Sequence, residues 1–240
     1  LGNFGSRDQG YKDAAASRYI YTVFNYRLAD NLFRREDDYI LTYDMEDGYR
    51  YEPKYYVPII PYVLCETNEI PGTGWSMNIH ARDIDAIFKN LRELITGKIT
   101  KCGPLPYWKK DFNGSIVTYK NRNYFVGKYE FIEKENKIHI TGLPPNKYSY
   151  AYIHGAEKSK LDKKNSGIKT KEWVDDYSDD TTDSGIDITL FLKEGAYEAL
   201  SSSKWGNESF DCFQEYLELK EPMYDRLNLV NAHGEVVEFT

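Results

Sequence analysis

Apolar residues recur at helical spacing in two parts of the N-terminal half of the chain. In residues 12–33 the repeat consists of Ala15, Tyr19, Val23, Phe24 and Leu28. Three neighbouring alanines also favour helix there, so the pattern predicts one or two amphipathic helices after a glycine-rich loop. A further helix is predicted after Asp83, a suitable N-cap, with one apolar face and an end at Gly97.

Short runs of β-forming residues alternate with turn residues elsewhere. Residues 39–43 and 49–51 flank a turn that ends in Asp47-Gly48, which predicts a β-hairpin of the kind that forms a wing. Pro58 and Pro61 predict an extended segment over residues 55–64, with a domain boundary near Tyr55. Further strands are predicted at residues 115–119, 124–131, 137–141 and 186–192, and loops at residues 158–167 and 201–209.

The composition is that of a folded chain without a membrane-spanning segment. The chain has 240 residues, 41% of them hydrophobic, and its apolar runs are shorter than the roughly 18 residues that a membrane helix needs. Its three cysteines lack the spacing of a disulfide framework or a zinc site, which favours a reducing, intracellular compartment. The sequence starts at Leu1 without a secretory leader, so we interpret it as part of a longer protein.

Charge is distributed unevenly along the chain. The formal net charge of −7 argues against a protein whose whole surface binds nucleic acid. Residues 1–27 nevertheless carry four basic and two acidic side chains, whereas residues 172–187 carry seven acids and no base. DNA, if bound, is therefore expected near the N-terminus.

Neither a metal site nor a nucleotide site is predicted from local motifs. Carboxylates in residues 179–183 could ligate a hard cation, but a solvated acidic turn is the simpler interpretation. The four histidines are dispersed along the sequence. Gly72-Thr73-Gly74 lacks the third glycine of a dinucleotide-binding loop, because Met77 stands at that position.

Two of the 22 tyrosines follow an arginine, in the pairs Arg18-Tyr19 and Arg50-Tyr51. The second pair lies in the predicted hairpin and is interpreted as part of a strand. The first pair follows the glycine-rich loop, where free backbone N–H groups and nearby cations could hold phosphates. Tyr19 is therefore the candidate nucleophile.

Several segments resemble type IIA DNA topoisomerases. Residues 2–7 (Gly-Asn-Phe-Gly-Ser-Arg) and 12–20 (Lys-Asp-Ala-Ala-Ala-Ser-Arg-Tyr-Ile) are similar to the active-site segment of that family, in which the Arg-Tyr pair carries the nucleophile. Residues 52–61 (Glu-Pro-Lys-Tyr-Tyr-Val-Pro-Ile-Ile-Pro) and 72–76 (Gly-Thr-Gly-Trp-Ser) resemble the family's entry into its tower domain. The similarity is dense from residue 2 to 76 and thinner beyond residue 143, and a viral enzyme is the most similar member.

The resemblance implies an α+β fold with two parts. Residues 1–54 would be the C-terminal half of a winged-helix (CAP-like) domain, and residues 55–240 most of a mixed α/β tower domain. Tyr19 would attack the DNA backbone and stay linked to the 5′ end, while Arg18 stabilises the charge on a phosphate.

The resemblance also implies which residues bind DNA. Arg7, Lys12 and Ser17 would hold the DNA backbone without sequence choice. Type IIA enzymes bend DNA with an apolar wedge, which we expect at Pro71, where the family usually has isoleucine, with Ile70 as the alternative.

Partners and cofactors follow from the same resemblance. We expect a homodimer on double-stranded gate DNA, with Mg²⁺ and ATP bound by domains of the same polypeptide outside this chain, so that the chain does not turn over alone. A viral enzyme would act in the host cytoplasm, at sites of viral replication. Two other classes stay open: a single-tyrosine recombinase or relaxase, and a non-catalytic DNA-bending module in which Tyr19 only packs.

Overall fold

The computed structural model describes residues 1–6, 8–110, 112–155, 167–168, 171–182, 184–202, 206–231 and 233–239. The α-helices are α1 (Tyr26–Leu32), α2 (Ile84–Ile95), α3 (Ser149–His154), α4 (Ala196–Ser201) and α5 (Cys212–Tyr216). The strands are β1 (Tyr43–Glu46), β2 (Tyr49–Pro53), β3 (Asn68–Pro71), β4 (Ser76–Ile79), β5 (Ser115–Tyr119), β6 (Arg122–Val126), β7 (Lys128–Ile132), β8 (Lys137–Gly142), β9 (Val174–Asp179), β10 (Ile188–Leu192), β11 (Lys220–Pro222), β12 (Asn228–Val230) and β13 (Val236–Glu238). Short 3-10 helices lie at Ser17–Tyr19, Arg35–Tyr39, Tyr62–Leu64 and Glu133–Glu135. This mixture of short helices and small sheets confirms the predicted α+β class.

Internal contacts divide the chain into two compact units. The first unit comprises Leu1–Tyr21 and Lys109–Tyr224, and the second comprises Thr22–Trp108 and Asp225–Thr240. The predicted boundary after residue 54 lies inside the second unit and does not coincide with this division. The assignment of residues 1–54 and 55–240 to winged-helix and tower domains stays a prediction.

The first unit contains two antiparallel sheets, of strand order β7-β8-β10-β9 and β11-β6-β5. Every second residue of β8 is buried, because side chains alternate between the faces of a strand. Ile140 in β8 and Leu190 in β10 are fully buried, and they belong to one core cluster with Leu200 of α4 and Phe213 of α5. Apolar burial on one face of this sheet therefore supplies the main core of the unit.

The predicted strand at residues 124–131 is in fact two strands in different sheets, β6 and β7. Gly127 separates them, and its N–H donates to the Leu219 carbonyl at 2.7 Å. A Cβ at this position would lie 2.5 Å from the carbonyl oxygen of Gly142, so only glycine permits this close approach. The predicted strands at 115–119, 137–141 and 186–192 correspond to β5, β8 and β10. The predicted loop at residues 158–167 lies outside the described residues, apart from Gly167.

The second unit confirms two local predictions. β1 and β2 form an antiparallel hairpin whose turn residues, Asp47 and Gly48, both have positive φ. β1 starts later than predicted because Arg35–Tyr39 forms a 3-10 helix. The predicted helix is α2, in which the Asp83 carboxylate accepts from the Ala86 N–H at 2.9 Å. Its end is marked by a φ of +71° at Gly97.

Residues on both sides of position 54 pack against each other in the second unit. The Ile59 N–H donates to the Leu32 carbonyl at 2.9 Å. Leu32, Ile60, Cys65 and Ile87 form a small buried cluster. Helix α1 therefore packs with the extended segment that the sequence assigns to the next domain.

The prediction of one or two amphipathic helices in residues 12–33 is wrong for most of that range. Only Tyr26–Leu32 is α-helical, and Ser17–Tyr19 is a single 3-10 turn. Tyr11 has a φ of +62°, which interrupts a right-handed helix at its start. The Ala15 N–H donates to the Asn3 carbonyl at 3.0 Å instead of to a residue one helical turn earlier. Hydrogen bonds to the glycine-rich loop therefore override the helix propensity of the alanines.

Candidate functional site

Residues 1–21 fold back on themselves as a closed loop within the first unit. The Tyr21 N–H donates to the Leu1 carbonyl at 2.8 Å, which joins the two ends. Gly2 has a φ of +124°, and a Cβ there would lie 2.8 Å from the carbonyl oxygen of Tyr19. Glycine is therefore required where the start of the loop passes against the turn that carries Tyr19.

Two backbone N–H groups of the glycine-rich loop, those of Gly5 and Ser6, are already hydrogen-bonded within the loop. The Ser6 N–H and hydroxyl donate to the two carboxylate oxygens of Asp13 at 2.9 and 2.7 Å. These two bonds hold the pKa of the Asp13 carboxyl below its usual range. The Gly5 N–H donates to the Asn3 side chain at 2.8 Å. The expectation of free N–H groups that hold phosphates is therefore wrong for Gly5 and Ser6, because side chains of the loop itself bind them.

Tyr19 lies in a tight turn on the surface of the first unit. Its N–H donates to the Ala16 carbonyl at 2.8 Å, and its side chain is 60% exposed. Within the described part of the chain, no hydrogen bond reaches its hydroxyl. The guanidinium carbon of Arg18 lies 4.8 Å from the centre of the Tyr19 ring. The turn therefore presents a phenol and a permanent positive charge together to solvent.

The other residues predicted to hold phosphate are placed as follows. Ser17 precedes Arg18 in the same turn and is exposed. Lys12 is exposed in the same closed loop, and no salt bridge to it is found among the described residues. Arg7 lies outside the described residues. The loop therefore gathers Lys12, Ser17, Arg18 and Tyr19 on one short surface segment.

The second Arg-Tyr pair has a different environment. Arg50 and Tyr51 are consecutive residues of β2, in the second unit. The guanidinium carbon of Arg50 lies 3.4 Å from the centre of the Tyr43 ring, on the partner strand. The pair is part of a strand, as predicted, and Tyr51 provides an internal control for Tyr19.

The two candidate wedge residues lie near the end of the β3–β4 hairpin in the second unit. Ile70 pairs with Met77 and Pro71 with Ser76, and the Gly72 N–H donates to the Trp75 carbonyl at 2.7 Å. Both candidates are exposed. Because consecutive residues of a strand point to opposite faces, the hairpin can present only one of them to a given surface.

The second unit contains a polar cluster that the sequence does not predict. Asp225 accepts hydrogen bonds from the Arg82 guanidinium at 2.5 Å and the Tyr107 hydroxyl at 2.9 Å. Its carboxylate also lies 2.8 Å from His80 Nδ1. Burial alone would raise the pKa of the Asp225 carboxyl, but these bonds outweigh it and hold that pKa well below its usual range. Asp225 is more than a hundred positions away from the other three residues in the sequence, so no local pattern predicts the cluster.

Two further findings concern metal ligands and membrane-spanning helices in the described residues. They contain no group of three or more His, Cys, Asp or Glu side chains that could hold a metal ion. In the acidic stretch, the carboxylate of Asp179 accepts from the Thr181 N–H and that of Asp180 from the Ser178 hydroxyl. None of the described helices has the length and apolar character needed to cross a membrane.

Comparison with known proteins identifies the class. The DNA gyrase/topoisomerase IV family (its A subunits) matches residues 1–219, and the chain belongs to this family of type IIA DNA topoisomerases. The match includes the closed loop and the turn that carries Tyr19.

The most similar proteins include viral and animal enzymes. The whole chain is 30% identical to DNA topoisomerase 2 of African swine fever virus (strain Badajoz 1971 Vero-adapted), of which it covers 20%. Over 81% of the chain it is 33% identical to DNA topoisomerase 2-alpha of Rattus norvegicus, of which it covers 12%. The DNA-binding, cleavage and re-ligation domain of Plasmodium falciparum topoisomerase II superposes on 99% of the chain with a TM-score of 0.76 and 27% identity, over 30% of that domain. The chain thus spans about a fifth or less of the curated relatives' length.

Proposed function

We propose that this chain carries the DNA-cleaving tyrosine of an ATP-dependent type IIA topoisomerase, and that Tyr19 is this residue. The observation that supports it most is the turn Ser17–Tyr19, in which an exposed phenol lies beside the Arg18 guanidinium. This turn falls within the residues that the family matches.

The proposed chemistry is a transesterification. The Tyr19 hydroxyl oxygen attacks a backbone phosphorus, and a phosphotyrosyl ester forms with the 5′ end while the bond to the 3′ oxygen breaks. The phenol loses its proton and the 3′ oxygen gains one. A free phenol has a pKa of about 10, so at neutral pH a positive charge must stabilise the negative charge that develops on the oxygens. Arg18 supplies that charge from within the same turn.

Other parts of the proposal concern partners outside this chain. Double-stranded gate DNA would be cut by two tyrosines of a homodimer, one for each strand. Mg²⁺ and ATP would be bound by other domains of the same polypeptide. The Mg²⁺ ion would stabilise phosphate charge during cleavage. For a viral enzyme we propose the host cytoplasm as the place of action.

The test is the covalent DNA adduct, measured in the full polypeptide that contains this chain. Tyr19→Phe removes only an exposed hydroxyl, so we expect denaturant-resistant adducts to be lost while the fold and noncovalent DNA binding stay intact. Tyr51→Phe is the matched control, because it removes the same atom from the other Arg-Tyr pair. Normal adduct formation by Tyr19→Phe would refute the assignment, and equal losses in both variants would show that stability, not catalysis, is being measured.

The same assay separates the alternatives. A non-catalytic DNA-bending module would bend DNA and give no adduct in the unaltered protein. A single-tyrosine recombinase or relaxase would give an adduct to one strand without paired breaks in duplex DNA.

A further inference from the structure

A cavity lies beside the closed loop within the first unit. Its volume is about 420 Å³, within the range of roughly 300–1,000 Å³ that is usual for small-molecule sites. Its walls include Gly5 and Tyr11 of the loop and the apolar side chains of Phe112, Pro144 and Ile186. No function described above uses this cavity.

Three lysines line the cavity, and none of its described lining residues is acidic. Lys109 and Lys110 are exposed, and no ion pair to either is found in the part of the chain that the structure describes. The Lys147 side chain is only 24% exposed, and its ammonium lies 3.9 Å from a carboxylate oxygen of Glu218. The cavity therefore has a strongly cationic wall.

Nearby carboxylates neutralise the charge of the Lys147 ammonium only in part. Glu218 forms its shorter ion pair, at 2.8 Å, with Lys171. Glu221, the other acid that acts on Lys147, accepts from the Asn146 side chain at 3.1 Å. Among the described residues, Glu218 and Glu221 are the carboxylates that act on Lys147, and Glu218 lies closer to Lys171. The three lysines of the lining therefore keep an excess of positive charge, which favours an anion.

The cavity also contacts the loop that carries Tyr19. The rings of Tyr11 and Tyr148, both in its lining, meet edge to face with their centres 6.3 Å apart. Gly10 lies directly against Tyr148, because a Cβ on Gly10 would come within 2.5 Å of that ring. The Tyr150 N–H donates to the Asp8 carbonyl at 3.2 Å. Residues 8–11 are therefore seated on the segment that forms one wall.

We propose that this cavity binds a phosphate group, with Lys109, Lys110 and Lys147 as its cationic side. The phosphate could belong to a DNA backbone or to a small phosphate-bearing ligand, because both present the same oxygens to lysine. The DNA form rests on the proposed function, whereas the small-ligand form does not. A phosphate here would lie against the loop that holds Tyr19 and would restrain it.

The test uses two matched double variants of the chain. Lys109→Gln with Lys110→Gln removes two exposed charges from the cavity wall. Lys134→Gln with Lys193→Gln removes two exposed charges from the same unit, at residues that do not line the cavity. Without ligand, both variants should unfold at the same temperature as the unaltered chain, which shows that the fold is retained.

Two equilibrium measurements identify the source of the phosphate. Pyrophosphate should raise the unfolding temperature of the unaltered chain and of the control, and should raise that of the cavity variant much less. In duplex DNA binding, the slope of log K against log salt should fall by about two for the cavity variant and not for the control.

A difference in the pyrophosphate measurement alone indicates a small ligand, and a difference in the DNA measurement indicates the DNA backbone. Either result supports the site. If the cavity variant and the control behave alike in both measurements, the cavity binds no phosphate. Neither measurement involves cleavage, so this proposal and the assignment of Tyr19 can fail independently.

Discussion

Asp225→Asn is expected to weaken the second unit at the point where its C-terminal segment joins β4. The wild-type carboxylate holds Arg82, Tyr107 and His80 together. An asparagine has nearly the same shape, but it has no charge and places an NH₂ group against these donors. The side chains of Arg82 and Asp225 are 12% and 16% exposed, so solvent screens their ion pair little.

The size of the effect follows from the positive charge of Arg82, which the variant leaves mostly buried without its carboxylate partner. Removing one partner of a buried ion pair costs about 3–5 kcal/mol, and we expect the lower end, about 3 kcal/mol, because this pair keeps some exposure. Arg82 is the critical residue, since its Nη1 is already buried without a hydrogen-bond partner. The Arg226 main chain, adjacent to Asp225, also forms two hydrogen bonds with Asn78 of β4, at 2.7 and 3.0 Å. Those bonds should survive and keep the variant folded at neutral pH.

The assay is urea unfolding at several pH values, followed by tryptophan fluorescence and far-UV circular dichroism. Asp30→Asn, at an exposed position of α1, is the control and should change stability by less than about 0.5 kcal/mol. Because the fold lowers the pKa of Asp225, its stabilisation is complete well above 3.8, the usual value for the free side chain, and is lost as the pH falls below it. The difference between wild type and variant should thus be smaller at pH 3 than at pH 5. A loss under about 1 kcal/mol at pH 7, or a difference that grows between pH 5 and pH 3, would refute the reasoning.

Four further predictions concern the loop and the hairpin. Lys12→Gln should weaken DNA binding about equally for all sequences and reduce the salt slope by about one, as measured by titration at several salt concentrations. Arg18→Ala should lower the cleavage rate more than DNA affinity, and the opposite order would make Arg18 an anchor only. Gly5→Ala should destabilise the loop by at least about 1 kcal/mol, seen as faster proteolysis there, because its φ is +86° and a Cβ would meet main-chain atoms at 2.8 Å. Pro71→Ala should reduce DNA bending, measured by energy transfer between dyes on the duplex ends, more than Ile70→Ala does; the reverse result would identify Ile70 as the wedge.

Elements fixed by neighbouring residues could be predicted from the sequence. Helix α2 was predictable because its N-cap, its apolar face and its final glycine lie within fifteen residues. The β1–β2 hairpin was predictable because the Asp47-Gly48 turn determines it. Tyr19 is proposed from the motif around it, because hydrophobic spacing gives no signal of an exposed tyrosine beside an arginine.

Features that depend on distant residues could not be predicted. Ala15 belongs to an alanine-rich segment with high helix propensity, but its N–H bonds to Asn3 across the loop. Asp225 meets His80 and Arg82 only after the chain has returned over more than 140 residues. The split of residues 124–131 into two strands depends on how close Gly127 lies to Gly142, which no local pattern encodes.

Under the proposed function, the arrangement of the loop determines which of its groups are available to hold DNA. Asp13 binds the N–H and the hydroxyl of Ser6, so that an internal carboxylate lies where a phosphate would otherwise accept these bonds. Lys12 and Arg18 remain exposed in the same loop. Contacts from such cations release counterions from DNA, whereas bonds from neutral N–H groups do not. The loop should therefore bind DNA through charge, with strong salt dependence and no sequence preference, and Asp13 should serve to hold the loop's shape.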